Sequence, residues 1–349
     1  MDATGVDALL LSVGADLPYL TGYEAMPLER VTMLVVPRDD DAALVVPRLE
    51  APRVVEQPDV FTVVAWDETD DPLALIAGLV GRGAGSVGIG ERTWARFVLG
   101  LQEALPDTRF RSATDVMAPL RMQKDAAEIE RLETAAHAVD RVAAEMHDRP
   151  FGGRTESDIH RELAARILEH GHQRVNFAIV GSGPNGASPH HEAGERLIGD
   201  GDVIVCDFGG TMQGYCSDIT RVFVVGEPTT EVRDVYAVLF EAQEAGVRAA
   251  TTTTTCESVD AAARAVIDGA GFGEYFVHRT GHGIGLEEHE EPYIVAGNRQ
   301  PLEPGHAFSI EPGIYFPGRF GMRLEDIVVA ADAGPRRLNE ASRELAVVA

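Results

Sequence analysis

The chain has 349 residues, of which 45% are hydrophobic and 25% are charged, and its formal net charge is −26. This length suffices for two domains with a sizeable core. The excess of acid, 56 Asp and Glu against 30 Lys and Arg, argues against binding to nucleic acid or to an anionic lipid surface, because both need clustered cations. We interpret the acidity as a well-solvated surface.

The three cysteines, Cys206, Cys216 and Cys256, form no disulfide framework and are typical of small core residues in a reducing compartment. No apolar run reaches the ~18 residues of a membrane span. The N-terminal segment lacks the basic residues that precede the apolar part of a signal peptide. We therefore expect a cytoplasmic protein.

Residues 1–118 alternate short strand-like runs with helical stretches, which predicts a small α/β domain. The glycine-rich stretch 81–85 lacks the Lys-Ser/Thr that completes a phosphate-binding loop, so we interpret it as a plain loop. The predicted strands are 8–13, 31–36, 43–46, 61–65 and 86–89, and the predicted helices are 49–55, 72–80 and 93–104.

Pro119 interrupts this pattern, and we place a linker at 119–124 and a second domain at 125–349. Asp125, with Glu128 three residues later, predicts an N-cap for an amphipathic helix over 126–147. Two helices, a histidine-bearing segment and a hairpin then occur twice in succession, which suggests an internal duplication. The other predicted elements are helices 156–170, 231–249 and 258–269 and a strand at 175–180.

The stretch 203–225 predicts a β-hairpin that carries two carboxylates, Asp207 and Asp218, between apolar β-branched runs. A tip between Met212 and Gln213 places the two acids directly opposite each other, with Cβ atoms ~5 Å apart. Carboxylates at this distance repel unless a proton or a cation lies between them. A divalent metal is the simplest explanation.

A second pair of acids follows the same logic. A turn centred on Gly318 places Glu311 opposite Glu325 on a second hairpin. His282 lies between two glycines, which let backbone and ligand come close. Neutral imidazole is the commonest metal donor, so His282 is a candidate ligand.

Other polar residues nearby receive no catalytic role. We interpret His278 as a surface residue and the acidic run 287–291 as a solvated loop. Asp326 points to the opposite face from Glu325, and we expect it to be solvent-exposed or structural. His306 carries no catalytic meaning.

Four carboxylates and one histidine exceed the three protein ligands of a catalytic zinc. They suit two divalent ions held ~3.5–4 Å apart by bridging carboxylates. Oxygen-rich ligation favours Mn²⁺, with Co²⁺, Fe²⁺ or Zn²⁺ as substitutes. Because two such ions lower the pKa of bound water from ~16 towards ~7, a hydrolase acting on a carbonyl-type bond is predicted.

The ordered set of five candidate ligands resembles the pattern of the pita-bread metallopeptidases, the group of methionine aminopeptidase, aminopeptidase P and prolidase (Xaa-Pro dipeptidase). The resemblance covers 125–349, and 1–118 looks like the N-terminal domain of the aminopeptidase P and prolidase branch. It implies an α/β creatinase/prolidase N-terminal-like domain followed by an α+β pita-bread (methionine aminopeptidase/creatinase-like) catalytic domain. It also implies a homodimer.

The resemblance implies a role for each candidate ligand. Asp207 would chelate one metal, Asp218 and Glu325 would bridge both, and His282 and Glu311 would bind the other. Glu311 would also act as the general base towards the bridging water.

The resemblance further implies residues around the substrate. His190, in a Ser-Pro-His loop, and His289 would flank the scissile carbonyl and steady the tetrahedral intermediate; His191 is the alternative to His190. Arg323 would shape the site and meet a substrate carboxylate. Tyr315 is a candidate of the same kind, with a core tyrosine as the alternative reading.

The preferred interpretation is a dinuclear peptidase that hydrolyses the Xaa-Pro bond of dipeptides or peptide N-termini through a metal-bridging hydroxide. Its substrate is a small peptide with proline second. Dipeptidase action is favoured over aminopeptidase P action on longer peptides by the short chain and the Pro189-His190 loop. A non-peptide amidohydrolase (ectoine-hydrolase-like or creatinase-like) and a non-catalytic peptide-binding module are the alternatives. The complete ligand set counts against creatinase-type members and against binding modules, which lack or have lost ligands.

Overall fold

A computed structural model describes residues 1–81 and 83–349; Arg82, in the stretch interpreted above as a plain loop, lies outside the described residues. These residues form two compact units, Met1–Arg121 and Met122–Ala349. Within the described part of the chain, no helix is both long enough and apolar enough to cross a membrane.

The first unit is built on a six-stranded mixed sheet in the order β4-β3-β2-β1-β5-β6. Each face of the sheet carries its own buried apolar cluster, as expected for an α/β layer structure. Its strands are β1 (Ala8–Leu11), β2 (Met33–Pro37), β3 (Ala42–Pro47), β4 (Phe61–Trp66), β5 (Ser86–Ile89) and β6 (Arg109–Ser112), and its helices are α1 (Asp16–Thr21), α2 (Pro72–Val80) and α3 (Ala95–Ala104).

Two predictions for this part of the chain are wrong in detail. The helix predicted at 49–55 is a single 3₁₀ turn, Ala51–Arg53, because Pro52 lacks an N–H and restricts the residue before it. Helix α4 (Thr114–Met122) continues through Pro119, so the residues predicted to begin a linker are helical. Strand β6 and helix α1 were not predicted.

The second unit contains two five-stranded sheets, β18-β10-β8-β7 with β9 attached to β8, and β12-β11-β13-β16-β17, together with the two-stranded ladder β14-β15. Its helices are α5 (Ala126–His147), α6 (Glu156–Glu169), α7 (Thr230–Ala249) and α8 (Cys256–Gly269). Its strands are β7 (Arg174–Ser182), β8 (Val203–Met212), β9 (Tyr215–Cys216), β10 (Ile219–Val225), β11 (Gly281–Gly283), β12 (Glu290–Ile294), β13 (Ala307–Ile310), β14 (Gly313–Phe316), β15 (Phe320–Arg323), β16 (Asp326–Val329), β17 (Arg336–Arg337) and β18 (Ala346–Val348).

Helix α5 begins where the sequence predicts. The Asp125 side chain accepts from the Glu128 N–H at 2.9 Å, and the Glu128 side chain accepts from the Asp125 N–H at 2.8 Å. This reciprocal capping box satisfies two of the otherwise unpaired N–H groups at the helix start.

The order of elements repeats within the second unit. Helices α5 and α6 precede the neighbouring strands β7, β8 and β10, and α7 and α8 precede the neighbouring strands β11, β13 and β16. In each set, the candidate acids lie on or beside the second and third strands. Internal duplication stays a prediction, but this arrangement explains why two acid-bearing hairpins can meet.

Candidate metal centre and catalytic pocket

The hairpin of β8, β9 and β10 turns at Gln213–Gly214, where φ is 51° and 84°. Positive φ at both central residues is the conformation of a type I′ turn. The predicted tip lay one residue earlier, and a tip displaced by one residue shifts the register by two. Asp207 therefore pairs with Thr220, and the direct opposition predicted for Asp207 and Asp218 is wrong.

Gly209 and Gly210 bring Asp218 close to Asp207 despite this offset. The pairing is interrupted between β9 and β10, at Ser217–Asp218. A Cβ on Gly209 would lie 2.0 Å from the Ser217 carbonyl oxygen, and the Ser217 N–H donates to the Gly210 carbonyl at 2.9 Å. The two backbones are thus closer than side chains at position 209 would permit, and Asp218 lines the same pocket as Asp207.

The second hairpin turns about Gly318, as predicted. The same register continues from β14–β15 into β13–β16 and places Glu311 opposite Glu325. Glu325 also joins the first hairpin: its N–H donates to the Thr220 carbonyl at 3.3 Å, and its Oε2 accepts from Thr220 Oγ1 at 2.7 Å. This contact brings the two pairs of acids together.

His282 is oriented for ligation through Nε2. Its Nδ1 lies 3.2 Å from the Gly283 carbonyl, which can only accept, so Nδ1 carries a proton and Nε2 is the nitrogen left for a metal. Nε2 lies 3.2 Å from Glu311 Oε1 and 3.8 Å from Asp218 Oδ2. A metal ligand whose second ring nitrogen is held by a carbonyl is the usual arrangement.

The glycines beside His282 make room for backbone. A Cβ on Gly281 would lie 1.9 Å from the Ser309 carbonyl oxygen, and one on Gly283 would lie 2.3 Å from the Glu291 carbonyl oxygen. Strand β11 is therefore packed against its two neighbours more tightly than any side chain allows, which fixes the position of the imidazole.

The donor set fits a divalent cation. Asp207 Oδ1, Asp218 Oδ1 and Glu325 Oε1 are buried and have no hydrogen-bond partner among the described residues. Ligand atoms of Asp218, His282 and Glu325 lie within 4.8 Å of one another. A buried carboxylate oxygen without a donor is costly, and a shared cation removes that cost for all three.

The pKa shifts of the clustered acids are those expected of a site that binds a cation. Burial, reinforced by repulsion from the neighbouring acids, raises the pKa of Asp218 and of Glu325 well above the ordinary range. Burial also acts to raise the pKa of Glu311, but the hydrogen bond and charge of His282, with other nearby cationic groups, hold it at about 2. Glu311 is therefore ionised at neutral pH.

Arg323 holds the base of the pocket together. Its Nε donates to Thr220 Oγ1 at 3.2 Å, its Nη1 to the Tyr315 hydroxyl at 2.8 Å and to the Pro189 carbonyl at 3.3 Å, and its Nη2 to the same carbonyl at 3.4 Å and to Asp207 Oδ2. A guanidinium has five N–H groups, and these contacts use all five. In this arrangement Arg323 positions Asp207 and the loop at Pro189, and each of its N–H groups faces a protein acceptor.

His278 was interpreted from the sequence as a surface residue, and this is wrong. It lines the pocket, its Nδ1 donates to the Arg279 carbonyl at 2.7 Å, and its Nε2 accepts from the Tyr315 hydroxyl at 2.9 Å. Burial lowers the pKa of His278 and raises the pKa of Tyr315 to about 12. His278 lies in irregular backbone, so neither helical nor strand spacing could have placed it here.

The pocket has a volume of about 570 Å³, within the usual size of a small-ligand site. Both predicted flanking histidines line it. The His289 ring centroid is 3.8 Å from that of His282, and burial, then the charge of His282, lowers the pKa of His289 to about 4. The alternative residue His191 turns away and bonds Glu156 at 2.8 Å. The lining residues are Phe177, Ile179, Ser188, Pro189, His190, Asp207, Asp218, Val277, His278, Arg279, His282, Glu288, His289, Glu311, Arg323 and Glu325.

The less buried lining residues, which we call the mouth of the pocket, combine apolar side chains with a cation. Phe177, Ile179 and Val277 supply the apolar surface. The Arg279 guanidinium lies 4.3 Å from the centroid of the Tyr293 ring, a cation–π geometry. A half-buried arginine held in this way is available to an anionic group on a ligand.

Two further acids near the pocket are buried. Asp326 is fully buried and accepts from Arg221 at 2.7 Å and Gln243 at 2.9 Å, so of the two predicted alternatives, solvent-exposed or structural, it is structural. Glu290, in the acidic run predicted to be solvated, is buried and bonds Lys124 at 2.6 Å. Tertiary contacts with distant cations, which the local sequence does not reveal, account for both.

Comparison with known proteins gives two domain matches. Residues 1–123 match the Creatinase/Prolidase N-terminal domain, and residues 130–332 match the Metallopeptidase family M24.

Individual relatives align along nearly the whole chain. The chain is 45% identical over 348 residues to the "Probable dipeptidase PepE" of Mycobacterium tuberculosis, and the alignment covers 99% of this chain and 92% of the relative. It is 32% identical to the "Xaa-Pro dipeptidase" of Lactobacillus delbrueckii subsp. lactis, covering 100% and 96%. The crystal structure of a prolidase from Thermococcus sibiricus superposes with a TM-score of 0.93 at 36% identity, covering 99% and 96%.

Proposed function

The chain belongs to metallopeptidase family M24, and from this membership and the geometry of the pocket we propose that it is a dinuclear metal-dependent dipeptidase that hydrolyses Xaa-Pro bonds. The predicted fold class, a creatinase/prolidase-type N-terminal domain followed by a pita-bread catalytic domain, is confirmed. The observation that carries the proposal is the convergence of four carboxylates and His282 on one pocket where three buried carboxylate oxygens lack a donor among the described residues.

Two divalent ions would be held by the five residues predicted as ligands, Asp207, Asp218, His282, Glu311 and Glu325. Their oxygen-rich donor set supports Mn²⁺ as the ion. When bound, such ions lower the pKa of water and polarise the scissile carbonyl.

The chain's own residues supply the proton transfer and the orientation of the substrate. Glu311, ionised because its pKa is about 2, is in the state that accepts a proton. His289 is neutral at pH 7 because its pKa is about 4, so it can donate a hydrogen bond to the carbonyl oxygen without adding charge. His190 faces the same space, and Arg323 fixes the orientation of Asp207.

The mouth of the pocket supports a dipeptide substrate. Phe177, Ile179 and Val277 offer apolar surface to a pyrrolidine ring and to the first side chain. Arg279 offers a cation to the free carboxylate that follows proline in a dipeptide but not in a longer peptide. The names of the mycobacterial and lactobacillar relatives also favour dipeptidase over aminopeptidase P action.

The decisive experiment assays the full chain, dialysed against a chelator and then reloaded with Mn²⁺. Ala-Pro and Leu-Pro are compared with longer peptides that begin Ala-Pro and with Ala-Pro amide, which lacks the carboxylate. We expect hydrolysis of the dipeptides only after reloading, with weaker hydrolysis of the others.

Each contrary outcome has its own meaning. Activity that survives complete metal removal contradicts the metal mechanism. Equal or faster cleavage of the longer peptides assigns aminopeptidase P action. Two bound ions without hydrolysis of any Xaa-Pro substrate favours the amidohydrolase or binding-module alternatives.

The proposal includes a homodimer and a cytoplasmic location. The three cysteines are free and buried, as suits a reducing compartment. Light scattering of the purified chain tests the dimer, and a mass of one chain contradicts it.

A further inference from the structure

Lys124 and Glu290 form a buried ion pair that the catalytic residues do not include. The side chains are 1% and 6% exposed, and Nζ lies 2.6 Å from Oε1. Burying two charges costs much of what their attraction returns, so such a pair adds little to stability. We therefore expect the main effect of the pair to be that it fixes the positions of the two side chains.

The backbone of Lys124 is held from both sides. Its N–H donates to the Gly305 carbonyl at 3.1 Å, and the preceding residue, Gln123, bridges to His306. A Cβ on Gly305 would lie 2.6 Å from the Lys124 carbonyl oxygen, which shows how closely the two segments pack. The capping box of α5 begins at the next residue, Asp125. The ammonium group is thus presented from a rigid support.

The Glu290 carboxylate contacts the backbone of the loop between His282 and His289. The Glu287 N–H donates to Glu290 Oε2 at 3.4 Å, and a Cβ on Gly285 would lie 2.5 Å from Oε1. The Gly285 carbonyl in turn accepts from the Cys216 N–H at 2.8 Å. Moving the Glu290 carboxylate would break the hydrogen bond from Glu287 and change the packing against Gly285.

His289 directly precedes Glu290, and its ring lies 3.8 Å from the ring of His282. We propose that the Lys124–Glu290 pair is a positioning device for His289, which anchors the loop so that the imidazole faces the reacting carbonyl. The inference rests on the proposed function. Lys124 and Glu290 are positioning residues, since neither side chain lines the pocket.

The first test compares Lys124→Met with Arg166→Met as a matched control. Arg166 pairs with Glu145 and Glu162 and lines no part of the pocket. We expect Lys124→Met to lower kcat by roughly 10- to 100-fold, because a misplacement of ~1 Å in a catalytic group can cost 10²-fold. KM and the content of bound Mn²⁺ should change little, and Arg166→Met should keep the wild-type kcat.

A double-mutant cycle separates positioning from general destabilisation. If Lys124 acts through His289, the double variant Lys124→Met/His289→Ala should lose no more kcat than His289→Ala alone. Losses that multiply would overturn the inference. Should Lys124→Met fail to fold, Glu290→Gln, which preserves the shape of the side chain, enters the same cycle.

A measurement without catalysis keeps this inference distinct from the proposed function. In the metal-free protein, the Hε1 resonance of His289, assigned with His289→Gln, reports the ring's place beside His282. We expect it to move in Lys124→Met and to stay in Arg166→Met; an unmoved resonance overturns the inference. If the wild-type protein cleaves no Xaa-Pro peptide, the proposed function is contradicted instead. The His289 resonance still tests whether the Lys124–Glu290 pair positions that ring.

Discussion

Glu311 and Glu325 lie opposite each other at the junction of two ladders that share one register. On one side Ile310 pairs with Asp326, and on the other Gly313 pairs with Arg323. The two carboxylates are thus fixed by strands on both sides rather than by a loop. The two ladders keep the repelling residues close together, because neither backbone can move away without breaking ladder hydrogen bonds.

Asp218→Asn should stabilise the metal-free protein and abolish its response to metal. The substitution removes a charge that burial and the neighbouring acids disfavour, so the melting temperature in chelator should rise. Wild type should gain stability with Mn²⁺, about 2.7 kcal/mol at 100 times the dissociation constant, and the variant should gain little. Differential scanning calorimetry with and without Mn²⁺ measures both.

Asp326→Asn is the matched control for that experiment. Asp326 is equally buried, but its charge is matched by Arg221. Removing it leaves a buried guanidinium unpaired and should cost about 3 kcal/mol. Destabilisation by both substitutions would mean that the Asp218 carboxylate is not under repulsion.

Gly281→Ala should lower stability by roughly 3 kcal/mol and weaken metal binding, since the new Cβ would lie 1.9 Å from the Ser309 carbonyl oxygen. Relief of that clash would displace the strand that carries His282. Gly78→Ala, inside α2 with nothing within 4 Å of its Cβ, should instead stabilise by about 0.5–1 kcal/mol. Chemical denaturation and metal titration test the pair, and similar outcomes at the two positions would contradict the packing argument.

The metal-free protein should lose stability between pH 6.5 and pH 4 through His172. Burial lowers the pKa of this histidine to about 4, against ~6.5 in the unfolded chain. In that window the unfolded chain binds more protons, so stability is fully present above pH 6.5 and falls as the pH falls. The contribution of His172 should be roughly 2 kcal/mol at pH 4.5.

Urea denaturation of wild type and His172→Gln, in chelator at several pH values, measures this contribution. The difference in stability between the two proteins should change across the window by about that amount. A difference that does not vary with pH would show that His172 titrates normally in the folded state.

Arg279→Met should raise KM for Ala-Pro by roughly 10-fold or more, with a smaller change in kcat, because a charge-assisted bond to the substrate carboxylate contributes about 1.5–3 kcal/mol. Ala-Pro amide should be hardly affected. Arg299→Met, at a side chain that is 86% exposed, is the control. Equal losses on the dipeptide and its amide would place the role of Arg279 elsewhere.

Much of this arrangement follows from the sequence. Acids set in apolar strands marked both hairpins, and Gly318 marked the turn that sets the second register. The first register was missed because a positive φ at Gln213 leaves no signature in a glutamine. The sequence is equally compatible with a hairpin tip one residue earlier, between Met212 and Gln213.

The buried polar contacts were beyond local pattern. From the local sequence, Glu290 is predicted to be solvated and Asp326 to be exposed or structural. Their partners Lys124 and Arg221 are distant in sequence, and only the fold brings each pair together. His278 is a further case, since it lies in irregular backbone and its partner Tyr315 lies on strand β14. Spacing along a strand or helix predicts which residues share a face, but not which distant side chain completes a hydrogen bond.

Because its hydrogen bonds are saturated, Arg323 holds the interior of the pocket in place and takes no part in selecting the substrate. Its donors are committed to protein acceptors, so no N–H of Arg323 is left over to bind a substrate. Under the proposed function, choice among peptides would fall to less buried lining residues at the entrance, such as Arg279 and Glu288. New selectivity could accordingly be evolved or engineered at the entrance while the hydrolytic machinery is left intact.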